Sequence, residues 1–409
     1  MSLKYLPVQW IATAYVGLVS FGLNILLARY FGPARFGDYG VALAAGALLG
    51  VALDGGFKTL LLRERTLATG ALAGLVPRLH AVAMGHALAV GVTMGIVALA
   101  IFSERYVLAI AAVACFLGIT LSQFVSGTLR GEGRYIADAG WQAGTRTLSA
   151  IAILAALVVG VDSPSGVLLA WAFGSLTAVF FLPHGQTRRP RLEWHPEIYR
   201  AAAFLLWVDL ATVVYFRADM LLLNAMGVSA EQVGQYAAAY RIIEAPILLT
   251  TPAAILIFRK LRLEWQNPRR LHQQLIKSLI VAALVGGIIA ASVAVLAGAV
   301  ISFVYGPTYS EAGGFLAALA CALFFLLPNA VLTQAAIAMN RERAYAFIAT
   351  TAAIFNITLN VWLIPRHGAM GASWATVATE AWLFVLLAVG IVSWCRRMDT
   401  DVMNRQASA

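Results

Sequence analysis

Charge is scarce in this chain. Only 12% of its 409 residues are Asp, Glu, Lys or Arg, while 61% are hydrophobic. A soluble domain carries about 25% charged residues, so a water-soluble globule is excluded. Acidic residues are scarcer than basic ones, 19 against 29. Cysteine is nearly missing: Cys115, Cys321 and Cys395 form no CxxC and no Cys/His ligand spacing. That argues against structural disulfides and against a zinc site. The chain also lacks a Gly-rich phosphate loop ending in Lys, a metal-ligand cluster and a nucleophile paired with a base. Without them no enzyme chemistry is expected, ATP hydrolysis included, and no resident cofactor or metal.

What the chain has is long apolar runs. A membrane's hydrocarbon core of ~30 Å takes roughly 20 apolar residues in a helix. Windows of that kind lie at 7–28, 38–62, 79–102, 106–128, 138–160, 166–183, 198–223, 232–257, 276–305, 311–339, 344–364 and 371–394. The sequence thus predicts an all-α integral membrane protein with twelve spans. The N-terminal window is too long for a signal peptide and has no small-residue cleavage site, so it reads as the first span.

The net charge of +10 invites a nucleic-acid reading, and its placement argues against one. With both termini cytoplasmic, 21 of the 29 basic residues fall on the cytoplasmic side and only 4 outside. The remaining four, Lys58, Arg146, Arg217 and Arg241, lie inside spans. This asymmetry is the positive-inside rule, and it orients the chain. Anionic headgroups are a second use for the surplus, which makes membrane lipids a partner.

The chain repeats itself. The stretch ARYFGPARFGDYGVALAAGALLGVALDGGF at 28–57 is echoed by LLLNAMGVSAEQVGQYAAAYRIIEA at 221–245, with Gly32 answering to Gly227, Gly37 to Gly234 and Tyr39 to Tyr236. LSQFVSGTLRGEGRYIADAG at 121–140 is echoed by LTQAAIAMNRERAYAFIATT at 332–351, with Gln123 answering to Gln334 and Tyr135 to Tyr345. Two echoes in the same order point to duplication. The expected organisation is a six-helix bundle over 1–183, a basic cytoplasmic linker over 184–197, a second six-helix bundle over 198–394 and a cytoplasmic tail over 395–409. Six spans return the chain to its starting side, so the pseudo-two-fold axis runs along the membrane normal. Pro246 and Pro252 mark a candidate hinge in the eighth span, and Pro328 a bend in the tenth.

A charge at mid-membrane costs at least ~2.5–3.5 kcal/mol and needs a partner or a wet cavity. Asp54 and Lys58 stand at i,i+4, close enough to pair along one helix face. Arg241 and Glu244 stand at i,i+3. Asp209, Arg217 and Asp219 share the seventh span, and Glu380 lies in the twelfth. Each pair alone could be glue between helices. As a set drawn from both halves, the charges suit a polar cavity for a phosphate-bearing substrate, because Arg and Lys replace water around phosphate oxygens. Asn356 and Asn360 read as interhelix hydrogen bonding. His86 reads as a satisfied interior histidine.

The hairpin LLARYFGPARFGDYGVALA with its LDGGF, the segment RADMLLLNAMGVSAEQVGQYAAAYRIIEAP, and the run AMNRERAYAFIATTAAIFNITLNVWLIPRHGAMGASWATVATE resemble bacterial polysaccharide flippases. These are the O-antigen and exopolysaccharide exporters of the multidrug/oligosaccharidyl-lipid/polysaccharide superfamily. The resemblance implies a transporter of the bacterial inner membrane. Its substrate would be undecaprenyl-diphosphate-linked oligosaccharide, flipped to the periplasmic leaflet by alternating access for surface polysaccharide synthesis. It also implies coupling to an H⁺ or Na⁺ gradient, and it makes a polysaccharide polymerase and its chain-length machinery candidate partners. Asp54 matches the family's acidic residue at the end of the second helix and Asp219 the one in the seventh. Arg241 matches the basic residue after Tyr236–Tyr240. Twelve spans set the chain apart from the related lipid II flippases, which have fourteen.

On this reading Lys58, Arg146, Arg217 and Arg241 bind the substrate. Asp54, Asp219, Glu244 and Glu380 relay charge or couple to the ion. The alternatives are a cation-coupled multidrug antiporter of the same superfamily, disfavoured by four basic residues inside spans, and a non-transporting scaffold of a polysaccharide assembly complex, disfavoured by the lack of a large soluble domain.

Overall fold

The computed structural model describes residues 6–66, 72, 74–101, 106–181, 189–264 and 268–407. Among the described residues there is no strand. The α-helices in order are α1 Leu6–Asp54, α2 Phe57–Thr66, α3 Val76–Ile101, α4 Tyr106–Gly131, α5 Tyr135–Val158, α6 Pro164–Ala178, α7 Pro196–Ala225, α8 Ala230–Glu264, α9 Pro268–Val304, α10 Ala312–Ala320, α11 Ala322–Ala338 and α12 Glu342–Ala407. Helices satisfy every backbone group within the segment, which lipid demands. Seven described helices are long and apolar enough to cross a membrane, eight if the bent pair α10–α11 counts as one span.

The windows at 7–28 and 38–62 fall largely within α1, which bends at Gly32 (φ 71°). Only glycine takes that backbone conformation freely. Pro33 follows as the first residue of the next helical stretch, where its missing N–H costs nothing. In the same way the windows at 344–364 and 371–394 lie in α12, which bends at Gly368 (φ 54°). There the freed Ala369 N–H donates to Gln232 Oε1 of α8 at 3.3 Å.

Two expected features move. The window at 38–62 does not run straight: it breaks at Gly55 and Gly56, both with positive φ, and α2 begins afresh. The tenth window breaks at Cys321, where α10 and α11 meet at 42°. Tight i→i+3 bonds, Cys321 N to Ala318 O and Phe324 N to Cys321 O, wind the chain more closely there. Pro328 sits inside α11. Helix α8 continues through residues 246 and 252, where the hinge was expected; the side chains of both prolines lie outside the described residues.

The chain falls into two compact units, residues 1–221 and 222–409. In the first, α4 packs against α1, α2, α3, α5 and α6, and α5 packs against α1 and α6. Phe57, Leu60, Leu61, Leu79, Val82, Phe124, Ile198 and Ala202 form a buried cluster around α2. In the second, α11 packs against α8, α9 and α12, and α10 against α8, α9 and α12. The echoed residues behave alike in the two units. Gly32 and Gly227 both take positive φ. Tyr39 and Tyr236 are both wholly buried.

Candidate functional site

The break after α1 organises the charged groups of the first unit. In an unbroken helix Gly56 N–H would bond Ala52 O. Instead it donates to Asp54 Oδ2 at 3.0 Å, and Lys58 N–H donates to Asp54 Oδ1 at 3.0 Å. Asp54 therefore caps α2 with its carboxylate, as a helix start invites. The freed Ala52 carbonyl accepts from His86 Nε2 at 3.0 Å. A carbonyl can only accept, so Nε2 carries the imidazole proton and Nδ1 accepts from Tyr199 OH at 3.3 Å. His86 is thus satisfied at both nitrogens.

The Lys58 ammonium acts on Asp54 through its charge but makes no ion-pair contact with that carboxylate. The Lys58 ammonium points to Asp209 of α7, with Nζ 3.8 Å from Oδ2. That is long for a charge-assisted hydrogen bond, which closes to ~2.7–2.9 Å. Among the described residues Asp209 Oδ2 has no hydrogen-bond partner. Lys58 keeps 42% of its side chain exposed. Helix α7 comes close here because Gly56 has no side chain: a Cβ would stand 2.6 Å from Ala202 O.

Arg146 lies inside the first unit and is 8% exposed. Its guanidinium stacks on Trp171 of α6, 4.5 Å from the ring centroid, and its Nε has no hydrogen-bond partner among the described residues. Among the described residues no carboxylate pairs with it. Arg217 is half-buried on α7. Asp219, near the end of α7, is buried and accepts from Met220 N at 2.8 Å.

In the second unit Arg241 Nη1 meets Glu244 Oε2 at 2.6 Å, the i,i+3 pair that the spacing predicts. The hydroxyl of nearby Tyr305 is buried without a hydrogen-bond partner among the described residues. Glu380 is buried and accepts at Oε2 from Asn329 Nδ2 at 2.7 Å. Asn356 donates to Thr379 Oγ1 at 3.2 Å, and Asn360 to Asn356 Oδ1 at 3.0 Å. The first of these bonds fastens the two arms of α12 across its bend; the second lies within the first arm.

One charged hub escapes sequence reasoning. Asp138 is completely buried at the start of α5. It accepts from Arg130 Nε at 2.7 Å, Gln142 Nε2 at 2.8 Å and Gln9 Nε2 at 2.9 Å, and from the Ser126 hydroxyl. The signal was present in Arg130 and Asp138 either side of a glycine turn. Gln9 could not be foreseen, because it arrives from α1. A second surprise is the linker. Arg191 N–H donates to Ala81 O of α3 at 2.9 Å, and the Arg191 backbone rests where a Gly85 side chain would stand. His195 donates to Glu193 at 3.0 Å, and this bond, with Arg191 and Arg78 nearby, holds the Glu193 carboxyl below the usual carboxylate range.

The model of the polysaccharide biosynthesis protein family matches residues 8–258. The chain belongs to that family. No curated protein matches it. Among solved structures its fold resembles the lipid II flippase MurJ in an inward-closed conformation: 14% identity over 96% of this chain and 90% of that one, TM-score 0.77. A MATE transporter in complex with MaD3S shares 15% identity over 97% and 95%, TM-score 0.61. A MOP-superfamily transporter from Pyrococcus furiosus shares 16% over 97% and 96%, TM-score 0.61. This member of the polysaccharide biosynthesis family is thus a multi-pass membrane protein with a MOP-type transporter fold.

Proposed function

We propose that the protein is a flippase. It carries undecaprenyl-diphosphate-linked oligosaccharide from the cytoplasmic to the periplasmic leaflet of the inner membrane by alternating access, for surface polysaccharide synthesis. One observation beyond family membership carries the reading. Lys58, the second residue of α2, keeps 42% of its side chain exposed and is matched only loosely at 3.8 Å by Asp209. Such a cation has donors to spare for phosphate oxygens. The lipid II flippase among the fold neighbours supports a lipid-linked substrate.

On this reading Lys58, Arg146, Arg217 and Arg241 hold the diphosphate and any acidic sugars. Asp54, Asp219, Glu244 and Glu380 take the coupling H⁺ or Na⁺, or hold the cations when substrate has left. The bent helices α1 and α12 supply two spans each, which brings the total to twelve with both termini cytoplasmic. Neutralising Lys58 or Arg217 then abolishes export of the polymer while the membrane level of the protein stays normal. Loss of the folded protein instead would assign these cations to packing.

The MATE neighbours support a second reading, a cation-coupled multidrug antiporter. Under it, expression raises resistance to lipophilic cations and leaves surface polysaccharide unchanged.

A further inference from the structure

Helices α8 and α9 have 35 and 37 residues. At ~1.5 Å per residue each exceeds 50 Å, against a hydrocarbon core of ~30 Å. Their adjoining ends carry Arg259, Lys260, Arg262, Arg269, Arg270 and Lys277 within 25 residues, against a single acid, Glu264. The two helices pack on each other, with Leu261, Leu271 and Leu275 buried. Arg259, Lys260, Arg270 and Lys277 are left exposed. Glu264 offsets little of that charge: it stands 4.0 Å from Arg270. Arg262 is occupied elsewhere, donating to Ala338 O at 2.6 Å and Asn340 Oδ1 at 3.0 Å at the end of α11. Between the cations Leu263 and Ile276 also face outward.

A paired helix end with outward cations and interleaved apolar side chains fits one environment well. The cations meet phosphates while the apolar groups meet the upper acyl chains. We propose that the α8–α9 hairpin is a docking surface for anionic phospholipid headgroups of the leaflet around it, phosphatidylglycerol being the simplest example. The surface is independent of the transported substrate. It anchors the ends of two long helices at the level of the headgroups.

The test uses the full-length protein in nanodiscs of phosphatidylcholine with and without phosphatidylglycerol, and no lipid-linked glycan. Native mass spectrometry after release reads retained phosphatidylglycerol. Wild type retains it, and retention falls as salt rises, because exposed charges are screened. The variant Arg259→Gln/Lys260→Gln/Arg270→Gln/Lys277→Gln retains at least ~10-fold less, given about five-fold per cation. The control Arg35→Gln/Arg366→Gln retains as much as wild type. Retention that is independent of salt, or unchanged in the fourfold variant, overturns the proposal. A variant that keeps its lipid but loses a co-purifying acidic protein assigns the surface to that protein instead. If the variant fails to fold, a photoactivatable phosphatidylglycerol on wild type decides: cross-links within residues 256–280 support the proposal, and cross-links confined elsewhere overturn it.

Discussion

Lys58 of α2 reaches across to Asp209 of α7, not back to Asp54 four residues before it; the contact is 3.8 Å with 42% of the lysine side chain exposed. A pair that open contributes at most ~1 kcal/mol to stability. Asp209→Asn should therefore shift the thermal midpoint only slightly. Its effect on export should be larger, because it frees Lys58 from its only ion-pair partner among the described residues. Paired stability and export measurements on Asp209→Asn, Lys58→Gln and the double variant check this. Equal losses of stability and export in all three would make the pair structural.

The break at Gly55–Gly56 should tolerate little. Gly56→Ala must hold φ at +82° and place a Cβ 2.6 Å from Ala202 O. The conformation alone costs roughly 1–2 kcal/mol, and the contact pushes α7 away. Asp54→Ala, which leaves two backbone N–H groups without their acceptor, should cost about 0.5–2 kcal/mol. Asp54→Asn keeps an acceptor oxygen and should cost less. Unfolding in detergent, followed by helix signal, gives the ranking Gly56→Ala worst and Asp54→Asn mildest.

The sequence made much of this legible and concealed a definite part. Apolar runs and the basic asymmetry show a multi-pass helical protein, because lipid leaves few other solutions. The i,i+3 pairing of Arg241 with Glu244 is also readable, since one helix fixes both ends. The i,i+4 spacing brings the Asp54 carboxylate to the Lys58 backbone N–H and not to its ammonium, because the helix it assumes is broken between them. The Asp-Gly-Gly triplet was the available signal, an acceptor followed by two residues that leave helical geometry easily. Asp209 and Gln9 were not readable as partners, because their contacts join segments more than 100 residues apart.

Asp138 should be among the most sensitive polar residues of the first unit. Asp138→Ala strands Arg130, Gln9 and Gln142 at a fully buried position. Losing a buried acceptor that serves charged and neutral donors costs about 2–4 kcal/mol. Reduced membrane levels and a lower thermal midpoint are expected. Asp138→Asn should recover part of the loss. A normal thermal midpoint in Asp138→Ala would contradict this view of the hub.

The linker turn around Glu193 should loosen in acid. The hydrogen bond from His195, then Arg191 and Arg78, keeps the Glu193 carboxyl below its usual range. A group with a lowered folded value stabilises the folded turn above the ordinary glutamate value of ~4.3 and loses that effect as pH falls through the lowered one. Trp194, next to Glu193, stacks on Tyr199 at 4.2 Å and reports the state of the turn. Its emission, isolated by difference against Trp194→Phe, should be flat through neutral pH and change in acid. Glu193→Gln should show the acid signal already at neutral pH.

The most direct test of flipping is the lipid-linked glycan pool of a strain lacking this gene. Flipping predicts loss of one surface polysaccharide, with its undecaprenyl-linked repeat unit accumulating on the cytoplasmic leaflet. Restored export with wild type but not with Lys58→Gln would tie that activity to the break after α1. Normal polysaccharide together with new sensitivity to cationic dyes would contradict flipping and favour the antiporter.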